Sequence, residues 1–310
     1  MNSERQKFLG IFGSIDFHKI KDHPNILIAA NFWEDDRYAA ACVCYKFMRM
    51  IDDLIDDYKS ANRIIAADER KSFTVNVNEW LNTISDQGKS NPLNRELAGT
   101  IEKFRIPSWP LEIFARSMHY DINHDGFATL DDFIEYSQGA SVAPASIFVH
   151  LNSISKKNGK YEEPPFDVRE AATPCALFSY FVHIIRDFQK DQLNNLNYFA
   201  DDLIVKNGLT RKQLNEMAHA GKVDERFRNL IRIYHSMADA YREKTYDKIR
   251  QIRPLLEPRY QLSLEIIFSL YLMVFERINL ENGNFTAGEL NPTPEETRER
   301  VYRTIIQFTE

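Results

Sequence analysis

Residues 45–57 read YKFMRMIDDLIDD. Positions 45, 49, 52 and 56 step as i, i+4, i+7 and i+11, so on a helix Tyr45, Arg49, Asp52 and Asp56 share one stripe, with the apolar stripe Cys44, Met48, Ile51 and Ile55 beside it. An acidic stripe bordering a core-facing one belongs at the edge of a cavity, although DDxxDD alone also reads as a solvated charge run. Residues 180–202, YFVHIIRDFQKDQLNNLNYFADD, repeat the design: Tyr180, His183, Asp187 and Asp191 follow helical spacing next to Phe181, Ile184, Ile185 and Phe188. Two such helices facing each other gather four carboxylates around one space, which is costly unless cations neutralise them. All-oxygen ligands suit Mg²⁺, a hard ion that keeps waters and bridges carboxylates to phosphates, so the chemistry points to a diphosphate substrate.

Working outward, helical periodicity continues at roughly 35–57, 75–104, 129–155, 167–194, 225–252 and 258–279, with a last helix from Pro294 to Phe308. Strand-like alternation is not sustained. Ser90–Asn91–Pro92, Lys157–Asn158–Gly159, Glu163–Pro164–Pro165 and Asn207–Gly208 supply stops, and Thr293–Pro294–Glu295–Glu296 supplies an N-cap, a Pro at the first helical position and acids in the first turn. Eleven Gly and 12 Pro in 310 residues fall well under ordinary usage, roughly 12% for the pair, which favours long helices. No linker, repeat or low-complexity tract divides the chain, so residues 1–310 are read as one all-α domain, a large helical bundle. Phe 21 and Tyr 14 are mostly core, and rings that wall a pocket can hold an apolar chain and stabilise a cation.

A net charge of −6 excludes a generic nucleic-acid binder. Cys42, Cys44 and Cys175 form neither a CxxC pair nor a His-supported cluster, which argues against a disulfide framework or a zinc site. MNSERQKFLGIFGS lacks a signal h-region, and IIFSLYLMVF at 266–275 is too short to span a bilayer, so the expectation is a cytoplasmic protein, peripheral to membranes at most. DINHDGFATLDD at 121–132 nearly spells a calcium loop, but Asp132 stands where a bidentate Glu is required and Ala128 replaces the usual apolar residue, so it reads as an inter-helix loop. No GxGxxG, Walker A, GxSxG or HExxH pattern occurs.

Together these motifs resemble the squalene/phytoene synthase family, all-α enzymes that join two prenyl diphosphates head to head. The family's first motif is matched by Tyr45, Arg49, Asp52 and Asp56, and its second by Arg186, Asp187, Asp191 and Tyr198. Met118 and Asp121 ahead of Tyr136, and the Leu256–Arg259 turn before Tyr271, extend the similarity over about Asn25 to Ile278. The sequence departs at His183, where the family has Asn, at Lys190, where it has an acid, at Asn25–Ile26, and at ASVAPA, residues 140–145.

The resemblance implies a class I isoprenoid synthase bundle with a central cavity, Mg²⁺ (or Mn²⁺) at Asp52, Asp56, Asp187 and Asp191, and phosphate oxygens held by Arg49 and Arg186. Tyr45 and Tyr198 orient the diphosphate or the cation, or make hydrogen bonds at helix interfaces. His183 is a base, a supporting partner or a neutral structural residue. The implied activity is condensation of two prenyl diphosphates, farnesyl diphosphate foremost, to a presqualene-type diphosphate and onward to a squalene- or phytoene-like product. The alternatives are another class I prenyl diphosphate enzyme, a cyclase or hydrolase, or a non-catalytic scaffold relative. NADPH use, substrate chain length and oligomeric state stay open.

Overall fold

Several helices open on side-chain caps. The computed structural model describes residues 3–18, 25–85 and 92–309. The first part of the chain forms α1 (Ser3–Ser14), α2 (Asn25–Ala30), α3 (Asp35–Asn62), α4 (Arg70–Ser85), α5 (Pro92–Phe104) and α6 (Trp109–Asn123). The middle forms α7 (Leu130–Ser137), a π-helical turn (Gln138–Val142), α8 (Ala143–Ser153) and α9 (Val168–Leu193). The rest forms α10 (Asp201–Lys206), α11 (Arg211–Ala220), α12 (Glu225–Ile252), α13 (Pro258–Phe275), α14 (Ala287–Leu290) and α15 (Pro294–Gln307). Asp167 accepts from the Arg169 and Glu170 amides to open α9, and Asp224 from the Phe227 amide to open α12. Thr293 and Glu296 close a capping box at α15, with Pro294 in the first turn as the sequence predicts.

α9 and α12 run antiparallel along an aromatic seam: Phe188 meets Phe227 at 4.3 Å between ring centroids, and Phe181 meets Tyr234 at 5.9 Å and Tyr241 at 6.0 Å. A continuous cluster of buried apolar residues extends from Phe8 to Phe308. α1 closes against α15 through Phe8–Phe308 and Phe12–Tyr302 ring contacts, which brings the two ends of the chain together.

The all-α reading holds, with local differences. The 75–104 stretch is two helices, α4 and α5; Ser90 and Asn91 of the expected break lie outside the described residues. The 129–155 stretch bends through the π turn because Gly139 passes directly over α6. A Cβ at Gly139 would stand 2.2 Å from Ser117 Oγ and 2.4 Å from the Ile113 carbonyl oxygen, so the chain can cross only where no side chain exists. Asp121 to Asn123, read as the start of a loop, complete the last turn of α6, a helix whose buried Leu111, Ala115, Met118 and Ile122 give it a helical apolar face.

Lys157–Asn158–Gly159 is a hairpin turn as well as a helix stop. Asn158 (φ 50°) and Gly159 (φ 80°) join β1 (Ser155–Lys157) to β2 (Lys160–Glu162), paired Lys157 to Lys160. Three-residue strands are too short to show alternation.

Gly139→Ala is expected to lower unfolding free energy by about 1–3 kcal/mol through overpacking at the α6 crossing. Equilibrium denaturation measures this, and wild-type stability in the variant would mean that the crossing is looser than described.

Candidate active site

α3 and α9 lay their acidic stripes along one cavity of about 1340 Å³. Cys44, Met48, Ile51 and Ile55 of α3, and Phe181, Ile184, Ile185 and Phe188 of α9, are buried, which fixes the rotation of each helix and turns the neighbouring stripe into the cavity. The side chains brought together there include Tyr45, Arg49, Asp52 and Asp56 from α3, and His183, Arg186, Asp187 and Asp191 from α9; Tyr198 joins them from the segment after α9. Every residue singled out from the two motifs therefore lines the same space. Beyond the acids the wall becomes apolar, with Phe148, Leu264, Leu270 and Val274 among its side chains.

Charge is distributed unevenly. Burial, with repulsion from Asp121, pushes the Asp52 carboxyl up despite the opposing pull of Arg49. Burial, then Asp52 and Asp121, push Asp56 up further. Asp191 is raised by burial, by Asp187 and, from the other helix, by Asp56, a sign that the two stripes feel each other across the cavity. Asp187 is the exception: burial works to raise it, but two hydrogen bonds from Arg186, at 2.8 and 2.6 Å, outweigh that and hold it low. Arg49 is likewise bound to Asp52 and Asp53. Both guanidiniums thus rest on carboxylates of their own helices.

Burial and the Arg186 charge push His183 down to about 3, so its imidazole is neutral. Its Nε2 is buried without a hydrogen-bond partner, and its ring stands edge-on to Tyr271 at 5.1 Å.

Behind the α3 acids lies a polar anchor. Lys59 donates to Asp121 Oδ1 and to the Asp121 carbonyl oxygen, both at 3.3 Å, and Tyr136 donates to Asp121 Oδ2 at 2.5 Å. Sequence reasoning reached Asp121 and Tyr136 but not Lys59; its signal was its place three residues after Asp56 on a helix whose opposite face is polar. In the loop that nearly spells a calcium site, Asp132 caps α7 and Asp125 pairs with Arg63 and Arg211, so those acids are committed to the fold. The sequence reading also passed over Lys46 of α3, Lys248 of α12 and Asn291 to Thr297 at the head of α15, where Asn291, Pro292, Pro294 and Thr297 line the cavity.

Among the described residues no three His, Cys, Asp or Glu side chains stand close enough to hold a metal ion alone. The donor set still fits Mg²⁺, which takes one or two carboxylates and completes its shell with water and substrate phosphate oxygens.

The sequence model of the family described as squalene/phytoene synthase matches residues 21–302. Solved structures with the same fold include a dehydrosqualene synthase in complex with ligand (TM-score 0.72, 14% identity, 96% of each chain). They also include the squalene synthase HpnC from Alicyclobacillus acidocaldarius (TM-score 0.63, 16% identity, 89% of this chain and 94% of that one). A third is YisP from Bacillus subtilis (TM-score 0.62, 14% identity, 97% and 99%). No curated protein matches the sequence.

A carboxyl whose folded value lies above its unfolded one stabilises the fold at low pH and loses that contribution as pH rises through the folded value. Metal-free protein should therefore gain more from Asp56→Asn at pH 8 than at pH 5, read as the difference in Tm. An equal effect at both pH values would show that Asp56 carries no raised carboxyl.

Proposed function

The chain belongs to the squalene/phytoene synthase family, prenyltransferases that join prenyl diphosphates head to head, and we propose that it condenses two molecules of farnesyl diphosphate (1′-1) to a presqualene-type diphosphate and onward to a squalene- or phytoene-like hydrocarbon. The observation that carries this reading is that one cavity is lined both by the four motif aspartates and by apolar side chains such as Phe148, Leu264, Leu270 and Val274. Its volume, about 1340 Å³, exceeds the roughly 300–1,000 Å³ usual for a single small-molecule ligand and suits two prenyl chains.

The chemistry begins with heterolysis of the allylic C–O bond, both electrons leaving on the diphosphate. The double bond of the second chain then attacks the allylic cation, and loss of a proton closes the cyclopropane. The family is dependent on divalent metal; Mg²⁺ held by Asp52, Asp56, Asp187 and Asp191 would supply the positive charge that the departing diphosphate needs. Arg186 keeps Asp187 ionised for that task, and the Lys59–Asp121–Tyr136 anchor fixes the wall behind Asp52 and Asp56. Tyr45 and Tyr198 offer hydroxyls to the diphosphate and π faces to the cation. The apolar wall shields the cation from water, which would otherwise quench it to an alcohol. His183, neutral and edge-on to Tyr271, adds no charge to the cavity wall.

The continuous core supports treating residues 1–310 as one isoprenoid synthase domain. Among the described residues no helix is long and apolar enough to cross a membrane; peripheral contact with membranes is proposed on the ground that substrate and product are apolar chains.

Mass spectrometry of lipids formed from farnesyl and geranylgeranyl diphosphate with Mg²⁺, with and without NADPH, tests the reaction and identifies the product. EDTA should abolish turnover, and undiminished diphosphate release in chelator would refute the metal's part. Asp52→Asn and Asp187→Asn should each lower kcat/KM by roughly 10³-fold, about 4 kcal/mol of transition-state stabilisation, while the variants stay folded by circular dichroism. Unfolding of both would make these carboxylates structural instead.

A further inference from the structure

The cavity is long as well as wide. Side chains of α9 line it turn after turn from Ala171 through Cys175, Ser179 and His183 to Asp191, which at 1.5 Å per residue is about 30 Å. The acids stand at the C-terminal end of that helix. Toward its N-terminal end the lining includes Ala171 and Ala172, with Ile249 and Ile252 from α12.

The register of α12 follows from its contacts with the antiparallel α9. Phe227 meets Phe188, Tyr241 meets Phe181, and Lys248 meets Glu170. α12 therefore lines the cavity with its C-terminal end, through Thr245, Lys248, Ile249 and Ile252, at the end of α9 remote from the acids. There Lys248 donates to Glu170 Oε1 at 2.7 Å and to Gln251 Oε1 at 2.8 Å. The Lys248 side chain lines the cavity and is 17% exposed, while Glu170 lies outside the lining and is 71% exposed. One surface ion pair thus stands between the far end of the cavity and water.

We infer that the cavity has a second mouth between the start of α9 and the end of α12, closed by the Lys248–Glu170 pair, and that the apolar product leaves through it. The inference rests on the prenyl diphosphate reading and deepens it. A prenyl chain whose diphosphate is held at the acids extends its tail along α9 toward this end. The hydrocarbon has lost both diphosphates and offers nothing for the acidic end to hold. Its passage across Asp52, Asp56, Asp187 and Asp191 would strip water from their charges. At the far end it meets apolar walls and an exposed ion pair, an interaction that breaks readily because both partners are resolvated.

Cysteine alkylation of the full chain tests this, because Cys175 lines the cavity near the far end and Cys42 lines it on α3. Burial pushes the Cys175 thiol up to about 12, so its wild-type reaction is slow and access to it registers clearly. The acidic end is occupied with Mg²⁺ and inorganic diphosphate, a neutral N-alkyl maleimide is added, and peptide mass spectrometry reads both thiols. Lys248→Ala and Glu170→Lys should each raise the Cys175 rate at least fivefold and leave Cys42 unchanged. The charge swap Glu170→Lys with Lys248→Glu should restore the slow rate, and Lys244→Ala, on the exposed face of α12, should have no effect. After one turnover of farnesyl diphosphate, the open variants should retain severalfold less lipid product on gel filtration than wild type or the swap. An unchanged Cys175 rate, or an equal rise at Cys42, overturns the second mouth. A raised Cys175 rate with unchanged product retention overturns its role as the exit. If Cys175 responds as expected but wild type forms no lipid product, the mouth stands and the functional reading beneath it falls.

Discussion

Mutual repulsion among carboxylates in a partly dry space is the constraint around which this protein is arranged. Asp52, Asp56 and Asp191 are raised by burial and by neighbouring carboxylates, Asp121 among them for the α3 pair and Asp187 for Asp191. The strain is local to two stripes, and the rest of the bundle holds those stripes in register. Each acidic stripe adjoins an apolar one, so hydrophobic burial of Ile51, Ile55, Ile184 and Phe188 forces the acids to the cavity side.

The support is asymmetric, and the asymmetry has chemical content. On α9 a neighbouring arginine neutralises Asp187, so that helix presents one ionised carboxylate and one that resists ionisation. On α3 the opposing pull on Asp56 comes partly from behind, from Lys59, while Asp121 repels it; Lys59 and Asp121 form a buried ion pair completed by the Tyr136 hydroxyl. A buried pair of this kind contributes little net stability but is costly to break from one side, so it fixes geometry. The aromatic seam between α9 and α12 does the corresponding work for the second stripe, since rings packed at 4.3 to 6.0 Å along the helix pair resist rotation of α9.

The small departures from regular helix fall where the cavity needs them. The π turn at Gln138–Val142 lets the chain cross α6 at Gly139 and then resume as α8, bringing Ala140, Ser141, Pro144 and Ala145 to the cavity wall with little bulk. Asn291, Pro292, Pro294 and Thr297 at the head of α15 also line the cavity, and ring contacts of α1 hold that helix.

Periodicity is a local property, and what depended on it was readable from the chain alone: the long helices, the two stripes from Tyr45 to Asp56 and from His183 to Asp191, the Thr293 cap, and a chemistry of oxygen ligands around a diphosphate. A residue's neighbours along a helix are fixed by 3.6 residues per turn whatever the rest of the protein does. The raising of Asp191 by Asp56 across the cavity and the Lys59 anchor on Asp121 were decided only by tertiary packing. They depend on which side chains lie within a few ångströms and how much water remains between them, and separations of that kind are set by the crossing of helices far apart in sequence. The same holds for Gly139, whose need is imposed by α6, and for the cavity itself, whose far wall comes from residues more than two hundred positions away from its first acid.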